Sequence, residues 1–174
     1  FILFLTLSRL FFAPIIFLGL VVFNNFILTF VLFLIASVSD YFDGWLARRY
    51  GLASDFGAIL DPIADKILLL FCLFAITLYL QDPDVGLISL NIIAREFWVS
   101  ALRDFASRNK ISDLMDVTYL AKVKTSIQFL TLFLYFASFL LNLKLGIFVA
   151  NITLFLIMLI TIKTGIDYTK KILK

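Results

Sequence analysis

Apolar runs long enough to cross a bilayer recur along almost the whole chain, at roughly 3–23, 26–47, 58–80, 86–105, 121–141 and 143–164. A helix of about 20 such residues spans a hydrocarbon core of about 30 Å. Of the 174 residues, 63% are hydrophobic and only 16% are charged, with a mean hydropathy of +1.07. That leaves too little polar sequence to coat a water-soluble globule. The runs are continuous rather than alternating, which predicts helices and not a barrel, because a helix satisfies its own backbone groups inside lipid. The expected fold class is therefore all-α: a polytopic membrane protein of six transmembrane helices in one domain, 1–174. A cleaved leader would carry its charge ahead of its apolar run, whereas "FILFLTLSRLFFAPIIFLGLVVF" carries Arg9 and Pro14 within it.

Short polar turns separate the runs in pairs: Asn24–Asn25, "QDPDVG" at Gln81–Gly86, and "NLK" at Asn142–Lys144. The longer connections are expected at 48–57, which would hold Asp55, and at 106–120, where Asp113 and Asp116 would cap a short interfacial helix. One set of helix ends carries Arg48 and Arg49, the basic residues from Arg103 to Lys124, and those from Lys163 to Lys174. The other set carries Lys144 with Asp82 and Asp84. The positive-inside rule then places both termini and the longer connections in the cytoplasm. "TKKILK" at the end reads as a basic membrane-surface tail rather than a nucleic-acid contact.

Acids are costly in such a chain, yet four lie at the basic end of spans two and three. Asp40 and Asp43 are three apart and Asp61 and Asp65 four apart, so each pair shares a helical face. Four converging carboxylates repel one another. Divalent cations with oxygen ligands resolve the conflict, and two of them about 3.5–4 Å apart form the clamp used in phosphoryl transfer. The chain has no histidine, and its one cysteine, Cys72, sits deep in an apolar run as a small filler. The site is therefore expected to be oxygen-rich and to take Mg²⁺ or Mn²⁺. Solvated caps, ion pairs with Arg48, Arg49 or Lys66, and an ion-transport path are the competing readings. Transport would call for polar groups in both membrane halves, and the outer halves are nearly devoid of charge. Gly44, Ala47 and Gly57 flank the acids and open backbone space for a flat ligand, although close helix packing calls for the same small residues.

Together these residues form D-x-x-D-G-x-x-A-R, then G, D and D: Asp40, Asp43, Gly44, Ala47, Arg48, Gly57, Asp61 and Asp65. This resembles the signature of the CDP-alcohol phosphatidyltransferase family, and the resemblance covers essentially the whole chain. It implies transfer of a phosphatidyl group from a CDP-linked lipid to an alcohol, with release of CMP. By that resemblance, Asp40, Asp43, Asp61 and Asp65 hold the metals and Asp65 is also the general base. Asp40, Gly44, Ala47, Arg48, Gly57 and Asp61 receive the CDP-lipid, with Arg48 near its phosphates. A homodimer in the bacterial inner membrane is also implied.

Polar residues of spans four and five bear on the acceptor. Arg95 lies well inside span four, where its charge needs Glu96, another acid or a bound anion. Arg95–Glu96, Leu102–Arg103 and "AKVKTSIQ", together with Thr6, Arg9 and Pro14, resemble the branch of that family that makes phosphatidylglycerophosphate. Ala121 departs from it, where glycine is usual. The branch's "PN" ahead of span one is missing, as expected of a trimmed chain. The resemblance implies sn-glycerol 3-phosphate as acceptor, its phosphate held by Arg103 and Lys124, with Arg9, Arg95 and Lys122 as further candidates. Inositol phosphate, serine and phosphatidylglycerol are the rival acceptors.

Overall fold

Three residues with positive φ bend the chain into its tight turns: Asn24 at 49°, Gln81 at 52° and Asn142 at 53°. A left-handed residue just past a helix terminus turns the backbone so that the last carbonyls find donors. Beyond Asn142, the Leu143 amide donates to the Ser138 carbonyl at 2.9 Å. The helices after the first two turns are capped at once. Asn25 Oδ1 accepts from the Leu28 amide at 3.0 Å. Asp82 Oδ1 accepts from the Asp84 and Val85 amides at 2.9 and 3.4 Å, with Pro83 opening the helix.

The computed structural model describes the backbone of residues 2–50, 55–109 and 119–172, and their side chains except at 2–5, 40–50, 55–56, 58–59 and 119–122. These residues form six helices: α1 Ile2–Val21, α2 Phe26–Tyr50, α3 Asp55–Leu80, α4 Pro83–Arg108, α5 Tyr119–Leu141 and α6 Lys144–Ile172. The described residues contain no strand. Among the described residues, four stretches are long and apolar enough to cross a membrane: Leu60–Leu80, Pro83–Arg108, Val123–Leu141 and Lys144–Ile172. Thr6–Val21 and Phe26–Ser39 are shorter apolar helical stretches.

At the turn end the helix limits fall within a few residues of the expected runs. At the other end the helices run further. Asp55, expected in a 48–57 connection, is the first residue of α3. Lys170 and Lys171, expected in a surface tail, lie in the last turn of α6, which runs to Ile172. The apolar run marks only what lipid must cover. A helix goes on past it where charged residues face water, as at the exposed Asp104–Arg108 pair, 2.9 Å apart at i, i+4. The interfacial helix expected around Asp113 and Asp116 lies outside the described residues.

The helices close into a ring, with α1 between α2 and α3, α4 between α3 and α6, and α5 between α2 and α6. The α3 and α5 helices also touch across the middle. The buried centre combines Ile16, Phe33, Leu73, Ile76, Phe136 and Leu154 with small residues such as Ala36 and Ala75. In lipid such contacts act through close packing rather than through removal from water. Tyr79 and Phe139 pack with ring centroids 4.7 Å apart, and Phe33 and Phe136 at 5.0 Å. Cys72 is buried among these residues, as expected of a filler. Gly19 matters at the α1–α2 hairpin, where a Cβ would come within 2.8 Å of Thr29 Oγ1.

Candidate active site

Opposite the three turns, charged side chains of different helices meet. Asp61 and Asp65 lie on one face of α3, as their spacing requires. Arg9 of α1, fully buried, donates through Nη2 to Asp61 Oδ1 at 3.1 Å and through Nη1 to Asp65 Oδ1. Thr6, one turn earlier, donates to Asp61 Oδ1 at 2.6 Å. A buried guanidinium in an apolar bundle needs anionic partners, and two carboxylates on adjacent turns supply them. Arg9 is thus placed as the counter-ion of the acids. It does not line the cavity where the candidate acceptor residues gather.

Asp40, Asp43, Gly44, Ala47 and Arg48 belong to the last part of α2, whose backbone is helical to Tyr50. Their side chains lie outside the described residues. Gly57 is buried near the start of α3. Among the described residues no cluster of three potential metal ligands occurs. The part of the donor set that is described, Asp61 and Asp65, consists of oxygen donors that are 39% exposed. Hard oxygen ligands open to the medium fit Mg²⁺ or Mn²⁺.

Beside Asp65, a cavity of about 470 Å³ opens between α3, α4 and α5. Lys66, Arg95, Arg103 and Lys124 face it, with Asp65 and Glu96 as its acids. Cations outnumber acids, so the cavity suits an anionic ligand. Arg103, Lys124 and Arg95 are brought together there. Lys122 lies outside the described side chains.

The cations are held at set positions. Lys124, almost fully buried, pairs with Glu96 Oε1, and Arg95 Nη1 reaches the same oxygen at 3.3 Å. Arg95 also donates through Nε to the Thr161 carbonyl at 3.1 Å and through Nη2 to Thr164 Oγ1 at 2.6 Å, tying α4 to α6. Glu96, adjacent in sequence, thus meets part of the charge of Arg95, and α6 meets the rest. Lys66 donates to Ser100 Oγ, joining α3 to α4. Gln128 of α5 is buried against the cavity, and among the described residues its Nε2 has no hydrogen-bond partner. Tyr168 of α6 supports the cluster from behind, with Arg103, Lys171 and Arg95 over its ring at 5.6, 5.8 and 6.0 Å.

Sequence reasoning missed Lys66, Ser100 and Tyr168 as members of this cluster. A signal existed for two of them. Lys66 follows the last aspartate of the motif, and Ser100 stands one turn beyond Glu96. Nothing local pointed to Tyr168.

The sequence profile of the family described as CDP-alcohol phosphatidyltransferase matches residues 3–163. A Rickettsia felis protein named CDP-diacylglycerol–glycerol-3-phosphate 3-phosphatidyltransferase is 38% identical over 173 residues, covering 96% of this chain and 92% of its own length. A Rickettsia bellii protein of the same name is 43% identical over 141 residues, covering 80% of this chain and 76% of its own length. The protein of that name from Escherichia coli K12 is 38% identical over 102 residues, covering 59% of this chain and 56% of its own length.

Proposed function

The chain belongs to the CDP-alcohol phosphatidyltransferase family, and from that premise we infer that it transfers the phosphatidyl group of CDP-diacylglycerol to sn-glycerol 3-phosphate, releasing CMP. The names of the relatives support this acceptor. The observation that carries the reading is the cation-rich cavity directly beside Asp65. A phosphorylated alcohol bound there would present its phosphate to Lys124 and Arg103, with Lys66 close by, and its hydroxyl towards Asp65. Serine has no phosphate for these cations to hold.

Asp65 takes the proton of the primary hydroxyl of the acceptor. The alkoxide oxygen bonds to the β-phosphorus of the CDP-lipid. The bond from that phosphorus to the bridging oxygen breaks, and CMP leaves with the electron pair. Arg9 and Thr6 hold the α3 carboxylates in place for this chemistry. Asp40, Asp43, Asp61 and Asp65 would hold two Mg²⁺ or Mn²⁺ ions, which would neutralise charge on the phosphates. Gly44, Ala47 and Gly57 leave room for the CDP moiety, and Arg48 serves its phosphates. The basic end of the bundle faces the cytoplasm of a bacterial inner membrane, as the charge asymmetry favours. All six helices span, and the chain works as a homodimer; both follow from the family resemblance.

Purified protein in detergent tests this directly. CMP release from CDP-diacylglycerol should require both a divalent cation and glycerol 3-phosphate. It should be far slower with inositol phosphate, serine or phosphatidylglycerol. Equal rates with inositol phosphate would overturn the acceptor assignment, and release in a metal-free preparation would overturn the metal-assisted reading.

A further inference from the structure

A second hollow of about 470 Å³ runs along the outer seam of α4 and α6. The lining of α4 is Asn91, Ala94, Arg95 and Trp98, and that of α6 includes Ile162, Ile166 and Lys170. Each set falls on a single helical stripe. Trp98, Ile162 and Ile166 are 40–55% exposed on the outside of the ring, so in a bilayer this groove faces lipid. Towards mid-membrane its lining is Ala94, Ile162 and Asn91, whose amide is tied to the Leu87 carbonyl at 2.8 Å. At its basic end stands Lys170, in the last turn of α6. The Trp98 indole is fixed there by donation to Thr169 Oγ1 at 2.9 Å. An amphipathic ring with a cation beside it is a pairing typical of headgroup depth.

Arg95 adds a second, independent observation. Its side chain is only 10% exposed, and it lines both this groove and the cavity beside Asp65. Of its five N–H groups, three are spent on the Thr161 carbonyl, Thr164 Oγ1 and Glu96. The other two have no hydrogen-bond partner among the described residues. Buried donors and a flanking lysine at the head of a lipid-facing trough call for a ligand with an anionic head and a hydrocarbon body. The aspartate-bearing α2 packs against α1 and α5, and among the described residues it meets neither α4 nor α6. The groove therefore does not touch α2, which carries Asp40, Gly44, Ala47 and Arg48 of the place proposed for the CDP-lipid.

We propose that the α4–α6 groove binds an anionic phospholipid, its phosphate between Lys170 and Arg95 and an acyl chain along Ala94, Ile162 and Ile166. A phosphate drawing on Arg95 takes support from Glu96, which then leans more heavily on Lys124. Bound lipid therefore weakens the hold of Lys124 on the acceptor. This consequence rests on the proposed function, whereas the binding does not.

Trp98 reports on binding without any turnover. With the other tryptophan removed by Trp45→Phe, the full chain is placed in nanodiscs containing brominated phosphatidylglycerol or brominated phosphatidylcholine. Half-maximal quenching should need about fivefold less of the anionic lipid, the factor expected from one basic residue at the surface. Lys170→Gln should erase that preference. Ala94→Leu, which fills the groove, should weaken quenching by both lipids. Equal quenching by the two lipids before any groove substitution, or a preference that survives Lys170→Gln, would overturn the site. In the same discs, phosphatidylglycerol should raise the KM for glycerol 3-phosphate severalfold, but not in Lys170→Gln. A flat KM alongside selective quenching would overturn the coupling through Arg95 and leave the binding site standing.

Discussion

At the turn end of the bundle, Asn24, Gln81 and Asn142 join helices that are neighbours in sequence, through backbone bonds and caps spanning a few residues. At the opposite end, helices are joined by side chains far apart in sequence: Arg9 to Asp61 and Asp65, Lys66 to Ser100, Lys124 to Glu96, and Arg95 to Thr164. The first kind of join sets the path of the chain and leaves no ionised group inside. The second kind buries charge, which costs free energy unless every partner is present. Two ends of one set of helices have thus been built for different tasks. One holds the fold together cheaply, and the other holds charged side chains of different helices at set positions.

Substitutions can break or sharpen this contrast. The largest effect belongs to Asp65→Asn, which should lower CMP release by about 10³-fold, within the range for losing a general base, while CDP-lipid binding persists. Turnover near that of the unsubstituted protein would remove Asp65 from the chemistry. Arg9→Ala should come next. It strips both carboxylates of their counter-ion and should cost about 2–3 kcal/mol, read as a fall of several degrees in thermal midpoint in detergent. The loss is smaller than for a fully buried pair because the acids are 39% exposed. Arg9→Lys should recover part of it, and an unchanged midpoint would show that Arg9 does not hold this end together. Lys124→Ala should raise the KM for glycerol 3-phosphate about tenfold, the worth of one charge-assisted hydrogen bond, with a smaller change in kcat. A KM that does not move would take Lys124 out of the acceptor pocket.

The smallest effect is expected at the turn end. Gln81 pays for its φ of 52° with left-handed strain, and Gln81→Gly should relieve up to about 1 kcal/mol of it. The thermal midpoint should hold or rise by a degree or two, and CMP release should not change. A clear fall would show that the Gln81 side chain contributes more than its backbone costs.

The same contrast explains what could be read from the sequence. The turns were legible because polar residues between apolar runs act locally. The sharing of a face by Asp61 and Asp65 was legible because helical period alone decides it. Arg9 was not legible as their counter-ion. Its partners lie 52 and 56 residues away, and periodicity says which residues share a face but not which helix that face meets. Glu96 was one of three possible partners for Arg95, beside another acid or a bound anion, and was not foreseen as the acid that Lys124 also uses. Tyr168 lay beyond the expected end of span six at 164, because hydropathy stops at the edge of lipid whereas the helix does not. The α2 half of the motif, Asp40 to Arg48, was the strongest sequence signal of all, and its side chains lie outside the described residues.

The length of α6 has a mechanical consequence. Its 29 residues give a rod of about 43 Å, of which the apolar run as far as 164, about 31 Å, matches the oily layer and the basic last turns reach past it. A thinner bilayer obliges such a rod to lean further. Arg95 clamps it at Thr161 and Thr164, so leaning drags on Glu96 and shifts the geometry around Lys124. Catalytic rate should then vary with the acyl chain length of the surrounding lipid, making the protein responsive to the thickness of the membrane in which it sits.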